Sequence, residues 1–188
     1  GYWLQRTMLR LLSKHKVTIN GCWPGQKPNQ LTFENPCLTE AEREEGAQAV
    51  KTKNYSGTFD FIFIGRLEDA KGVRRILNVF SKLTHPRIGE IHFVGDGASR
   101  KAYEAYVRSH KMKGMVFHGF LTRDRINELL KKSHVFLLPS SASEGFPKVI
   151  AEAANYGAIP VVSDVSSIGQ YIIEDKTGLI VKNADETI

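Results

Sequence analysis

Apolar positions change their rhythm near residue 59. Before it, Trp3, Leu4, Met8, Leu11 and Leu12 recur at helical spacing, with Arg6, Arg10 and Lys14 on another face. That pattern predicts an amphipathic helix over residues 1–16. Val17–Ile19 and Leu31–Phe33 read as short strands around a loop rich in Gly, Pro and Asn. Thr39 followed by Glu42 is a capping-box pattern that opens a short acidic helix. Residues 51–58 are polar and read as a connection.

From Phe59 the chain alternates. Strands are predicted at Phe59–Gly65, Glu90–Val94, Met115–Phe120, His134–Pro139, Ile159–Ser163 and Leu179–Val181. Helices are predicted between them at Val73–Leu83, Arg100–His110, Arg123–Lys132, Pro147–Tyr156 and Ser167–Glu174. The strands are continuous apolar runs, as in central strands buried on both faces. Alternation of this kind predicts an α/β fold, a Rossmann-like doubly wound parallel sheet. The expected division is residues 1–58 and a sheet domain over 59–188. A strand this near the end of the sequence, with no helix to cover it, suggests a piece cut from a longer chain at both ends.

Composition narrows the picture a little. The 188 residues are 41% hydrophobic and 24% charged, a globular balance rather than a disordered one. The longest apolar runs, Phe61–Ile64 and Val135–Leu138, fall far short of the ~20 residues that span a bilayer. Cys22 and Cys37 form no CxxC pair and have no zinc-finger spacing, so both read as small hydrophobic residues, which suits a reducing compartment. A net charge of +6 suits an anionic partner: nucleotide, nucleic acid or anionic membrane surface. Nucleic acid is disfavoured, because the aromatic residues follow strand and helix patterns rather than a basic stripe.

In an open parallel sheet ligands bind beyond the carboxyl ends of the strands, so the strand-to-helix turns carry the candidate chemistry. The first turn places Arg66 and Lys71 between Gly65 and Gly72. The pair fits a diphosphate, Arg66 as a planar fork and Lys71 as a point charge, or is simply two solvated cations in a turn. The second, Gly95-Asp96-Gly97, begins like a dinucleotide fingerprint, but Arg100 stands where the third glycine belongs. The third holds His118, whose backbone is placed to meet a base. The fourth runs from Ser140 through Glu144, Gly145, Phe146, Pro147 and Lys148 to Glu152. Pro147 suits the first position of a helix, whose free N–H groups would face an anion. Carboxylates accept hydrogen bonds only, so Glu144 and Glu152 near an anion site fit sugar hydroxyls, Glu144 the transferred sugar and Glu152 a ribose. Glu152, amid Val149, Ile150, Ala151, Ala153 and Ala154, calls for a partner on a partly buried face.

The ordered set of motifs resembles a known family. Phe63-Ile64-Gly65-Arg66 with Lys71-Gly72, Phe93-Val94-Gly95-Asp96-Gly97, Val116-Phe117-His118-Gly119, Val135-Phe136-Leu137-Leu138-Pro139-Ser140, the E-x7-E pair Glu144 and Glu152, Pro160-Val161-Val162-Ser163 and Thr177-Gly178-Leu179-Ile180-Val181 follow in order. They are similar to the C-terminal domain of the GT-B retaining glycosyltransferases of family 4, the glycosyl transferases group 1. The resemblance covers Phe59 to about Val181. It implies that residues 1–58 are the tail of an acceptor-binding N-terminal domain and its connection, most of that domain being absent here.

The resemblance also implies roles. Arg66 and Lys71 would bind the donor diphosphate, Glu144 the transferred sugar, and Glu152 the ribose. Gly65, Gly95, Gly145, Phe146, Pro147 and Lys148 would supply backbone contacts, and His118 would lie by the base. No cofactor and no metal is implied, and no DxD motif occurs. The donor would be a UDP-, GDP- or ADP-sugar and the acceptor a saccharide or lipid-linked hydroxyl, as in bacterial-type polysaccharide or glycoconjugate synthesis. A cytoplasmic location follows, with peripheral contact on the inner face of the membrane left open to the basic helix. The isolated domain would be inactive. Two other readings stay open: a non-catalytic nucleotide-sugar-binding module, and a GT-B-like epimerase or hydrolase of nucleotide sugars.

Overall fold

Apolar runs with no polar face must be covered on both sides, and the central strands after residue 59 carry much of the core. The computed structural model describes residue 4 and residues 7–8, 15–33, 37–142 and 145–182. Ahead of residue 37, β1 (Val17–Ile19) and β2 (Gln30–Thr32) form a small parallel pair, with Val17 opposite Gln30. Of the helix expected over 1–16, Leu4, Thr7 and Met8 are helical and the remainder lies almost wholly outside the described residues. Cys22 is exposed, not a buried small hydrophobe, because its Gly- and Pro-rich loop has no core to enter.

A second compact unit begins at Cys37. Its first helix, α1 (Glu40–Thr52), starts with the expected capping box: Thr39 and Glu42 each cap the other's backbone N–H. Then come β3 (Phe59–Ile64), α2 (Val73–Phe80), β4 (Ile88–Val94), α3 (Arg100–Ser109), β5 (Met115–Gly119), α4 (Arg123–Lys132), β6 (Val135–Leu138), α5 (Lys148–Asn155), β7 (Ile159–Ser163), α6 (Ile168–Tyr171) and β8 (Leu179–Val181). The six strands from β3 on form one parallel sheet in the order β5-β4-β3-β6-β7-β8. The chain steps outward from β3 to β5, then returns to build the other half from β6. Right-handed crossovers therefore put α2 and α3 on one face and α4 and α5 on the other. Ile62, Phe63, Leu77, Phe93, Leu130 and Phe136 are fully buried between these layers, each stabilising the fold by ~1.5–3 kcal/mol.

This unit takes in α1 as well as the sheet, because α1 packs on α4 and α5. A Cβ on Gly46 would lie 2.5 Å from the carbonyl oxygen of Asn155, so only glycine permits this approach. Asn155 Nδ2 donates to the Glu42 carbonyl (2.8 Å) and the Tyr156 hydroxyl to Glu45 Oε2 (2.7 Å). Past the helix, Lys53 Nζ donates to the carbonyls of Leu130 (3.0 Å) and Ser133 (2.6 Å), closing the end of α4. Burial pulls its ammonium down to about 8.

Other boundaries differ from expectation, two of them near the candidate site and the end of the sheet. Pro147 is the N-cap of α5 rather than its first residue, with φ −65° and ψ 119°. Helix α6 ends at Tyr171, not Glu174. The Thr177 hydroxyl accepts from the Ile173 amide (2.8 Å) and Asp175 turns the chain at φ +60°.

Candidate functional site

The strand order reverses between β3 and β6, and a crevice opens where such a reversal meets the carboxyl edge. The loops leaving these two strands are joined there. Beyond β3 the chain makes a 3-10 turn over Asp69–Lys71 and leaves it through Gly72 at φ +90°. A Cβ on Gly72 would sit 2.2 Å from the Pro139 carbonyl oxygen. Ala70 presents its carbonyl to the loop after β6, accepting from the amides of Ser141 (2.8 Å) and Ala142 (3.2 Å) and from the Ser140 hydroxyl (3.0 Å). Arg75 Nη1 donates across the same seam to the Pro139 carbonyl (3.0 Å). The buried Tyr103 hydroxyl holds Asp69 Oδ1 at 2.7 Å. Lys71 is thus carried on a braced turn that is hydrogen-bonded to the segment leading into α5. Arg66 is on the same loop, with a side chain 75% exposed and paired to Glu68.

The second turn lies against the first. A Cβ on Gly95, at φ +119°, would fall 2.1 Å from the Gly65 carbonyl oxygen, and one on Gly97 would fall 2.6 Å from that of Leu67. The close approaches at both glycines are to protein backbone. Gly95 N also donates to the Gly119 carbonyl (2.8 Å). His118 turns its ring toward the adjacent strand, its Nε2 lying 3.1 Å from Nδ1 of the buried His92. Burial lowers both imidazoles, and His92 lowers His118 further, so the pair favours the uncharged state.

At the fourth turn, Pro147 supplies no N–H, and its carbonyl takes the Ile150 amide (3.0 Å). The N–H groups of the first turn of α5, beginning at Lys148, point along the helix axis toward the carboxyl edge. The Phe146 ring packs on Tyr171, centroids 4.7 Å apart, and anchors the approach through Gly145. Glu144 lies outside the described residues.

Glu152 has the partner that its apolar surroundings require. Its side chain is 17% exposed, and Oε1 accepts from Arg123 Nη1 at 2.9 Å. The same guanidinium pairs with Glu42 through Nε and donates through Nη2 to the Cys37 carbonyl (2.7 Å). Arg123 chiefly holds the Glu42 carboxyl at about 2, and Glu42 in turn raises Arg123. Burial pushes the Cys37 thiol up and Glu152 pushes it further, while Arg123 and Lys148 oppose. Sequence reasoning passed over Arg123. The signal available was a cation in the first turn of α4, where the helix dipole disfavours it.

The edge therefore combines a basic loop, a helix amino end and a half-buried carboxylate, a set able to accept hydroxyl hydrogen bonds beside an anion. Among the described residues no helix is long and apolar enough to cross a membrane. The chain is similar to several known proteins, some in sequence and some in fold. The chain is 31% identical over 148 residues to the uncharacterized glycosyltransferase YqgM of Bacillus subtilis, covering 77% of this chain and 40% of that protein. It is 31% identical over 111 residues to the lipopolysaccharide 1,6-galactosyltransferase of Salmonella typhimurium, covering 57% and 30%. The chain matches Anabaena Alr3699/HepE with a TM-score of 0.65 at 17% identity, over 86% of this chain and 45% of that one, a likeness of fold. The chain thus spans less than half the length of each. Residues 45–187 match the family described as Glycosyl transferases group 1, and the chain belongs to that family of GT-B glycosyltransferases.

Proposed function

We propose that this domain binds a nucleotide diphosphate sugar and that the longer protein transfers the sugar to an acceptor hydroxyl with retention at the anomeric carbon. The observation that carries the reading is the seam at Ala70, which sets the Lys71 loop beside the approach to α5. Negative charge develops on the diphosphate as the glycosidic bond breaks. Arg66, Lys71 and the amino end of α5 stabilise it, a preorganised arrangement that needs no movement at the moment of reaction. Glu144 orients the transferred sugar through its hydroxyls, and Glu152 accepts from the ribose.

Anabaena HepE has been solved in complex with UDP and glucose, which puts UDP first among the UDP, GDP and ADP alternatives. The name of the Salmonella relative supports a saccharide or lipid-linked acceptor in polysaccharide synthesis. A cytoplasmic site of action, peripheral to the membrane, goes with that reading, as does an isolated domain that binds donor without transferring it.

The test has two arms. The chain is melted with UDP, GDP and ADP, where a ligand at a hundredfold excess over its dissociation constant adds about 2.7 kcal/mol to folded-state stability. The full-length enzyme is then assayed with and without acceptor. Lys71→Ala is expected to lower turnover more than tenfold while leaving stability within ~0.5 kcal/mol. Wild-type turnover in both Lys71→Ala and Arg66→Ala removes the diphosphate assignment. Donor binding without transfer returns the binding-module reading, and acceptor-independent products return the epimerase or hydrolase.

A further inference from the structure

The guanidinium of Arg123, which the proposed chemistry does not use, lies at the centre of a cluster of polar groups. It reaches three separate parts of the unit: Glu152 on α5, Glu42 on α1, and the carbonyl of Cys37 ahead of α1. A guanidinium is planar and offers its donors in a fixed fork, so engaging Nε, Nη1 and Nη2 at once fixes the plane and direction of every partner. Glu42 is anchored besides, through the capping box and by Asn127 Nδ2 at 3.4 Å. The fork is therefore held on one side by α1, and Glu152 receives its orientation from the other.

One donor on Oε1 does not use up the carboxylate. An ionised carboxylate has about four lone-pair sites, and Arg123 fills one, leaving enough to accept from a diol. Lys148 stands one turn before Glu152 on α5, and both act on the Cys37 thiol. The cluster thus faces the first two turns of α5, the part of the helix nearest the crevice.

We propose that Arg123 is a positioning residue for ribose recognition: it holds the Glu152 carboxylate in a receiving orientation and ties it to the segment at Cys37 and Glu42 that leads into the domain. This rests on the reading of Glu152 as the ribose acceptor. Its consequence is selective. Loss of Arg123 weakens the contribution of the ribose hydroxyls and leaves the diphosphate contribution in place.

The experiment uses the 188-residue chain with UDP, GDP and ADP and their 2′,3′-dideoxy counterparts, measuring dissociation constants by calorimetry. The ratio of dideoxy to ribo dissociation constants reports the hydroxyl contribution alone. Expected is a ratio of about ten or more in the wild type, falling toward one in Glu152→Ala and at least threefold in Arg123→Ala. Arg123→Lys, which keeps the charge but not the fork, is expected to recover less than half of the loss. Thermal melts of each variant separate a fold defect, which weakens ribo and dideoxy ligands equally, from lost positioning. A ratio kept in Arg123→Ala but lost in Glu152→Ala overturns the positioning role and leaves the ribose reading intact. A ratio unaffected by Glu152→Ala, or no binding of any of the three diphosphates at millimolar concentration, overturns both.

Discussion

Two junctions meet at the carboxyl edge of the sheet, and they are made of different atoms. The seam between the loops after β3 and β6 is built mainly on backbone: the Ala70 carbonyl, the amides of Ser141 and Ala142, and Gly72 pressed on the Pro139 carbonyl, with Gly95 pressed on Gly65 in the adjoining turn; the Ser140 hydroxyl and the Arg75 guanidinium each add one donor to a carbonyl. The junction among α1, α4 and α5 is made by side chains, with one guanidinium serving two carboxylates and a carbonyl. A backbone seam has no adjustable parts. Its geometry is set by φ and by the absence of a Cβ, so it tolerates little change but is indifferent to pH and salt. A charged junction can lose a member and relax, and its strength depends on protonation and screening.

The sharpest way to break this contrast is at Gly95. Its φ of +119° is denied to residues with a Cβ, and a methyl there would lie 2.1 Å from the Gly65 carbonyl. Gly95→Ala is expected to destabilise the domain by about 3 kcal/mol or more, combining backbone strain with steric overlap. Urea melts measure it, with an unchanged slope reporting an intact unfolded state. A loss under ~1 kcal/mol means that the turn can shift, and that the backbone junctions at this edge are soft.

The same contrast explains how far the sequence could be read. The backbone side was legible: Gly65, Gly72, Gly95 and Pro147 mark turns by their chemistry, and apolar runs located all six strands of the main sheet. The Thr39–Glu42 capping box was legible too, because its partners are three residues apart. The side-chain junction was hidden. Arg123 and Glu42 are 81 positions apart and Arg123 and Glu152 are 29 apart. Helical periodicity tells which face of an element turns inward, not which residue it meets. The apolar neighbours of Glu152 announced that a partner was needed and could not name it. Nor could the weak apolar face of α1 reveal that Gly46 lets it close on Asn155.

A smaller effect is expected at the charged junction, and it has a pH signature that the backbone seam lacks. Arg123 is about half exposed, so its loss is discounted for solvent screening to roughly 1 kcal/mol at neutral pH. Its leverage acts mainly through Glu42, whose carboxyl is held at about 2 in the folded domain against an ordinary value of about 4.3. A depressed folded pKa contributes stability that is complete above the unfolded value and is lost as pH falls through the folded one. The gap in stability between wild type and Arg123→Ala is therefore expected to be flat above pH 5 and to narrow between about pH 4 and pH 2. Melts of both proteins across that window check it. A gap that stays constant to pH 2 assigns the effect of Arg123 to packing alone.

The smallest effect tests whether any part of the seam can move. Arg66, a proposed diphosphate ligand, is paired to a carboxylate, that of Glu68, two residues on in the same exposed turn. An exposed pair of this kind contributes ~0–1 kcal/mol, so Glu68→Gln should change stability by less than about 0.5 kcal/mol. For binding the sign reverses. To reach a phosphate, Arg66 must leave Glu68, and the pair's strength is subtracted from affinity. Removing the competing carboxylate while keeping an amide of similar shape is expected to tighten nucleoside diphosphate binding two- to fivefold, most visibly at low salt, where screening does not mask it. Titrations at 20 mM and 300 mM salt measure this. Unchanged affinity at both means that Arg66 keeps its hold on Glu68 while ligand is bound, leaving Lys71 and the amino end of α5 to carry the diphosphate.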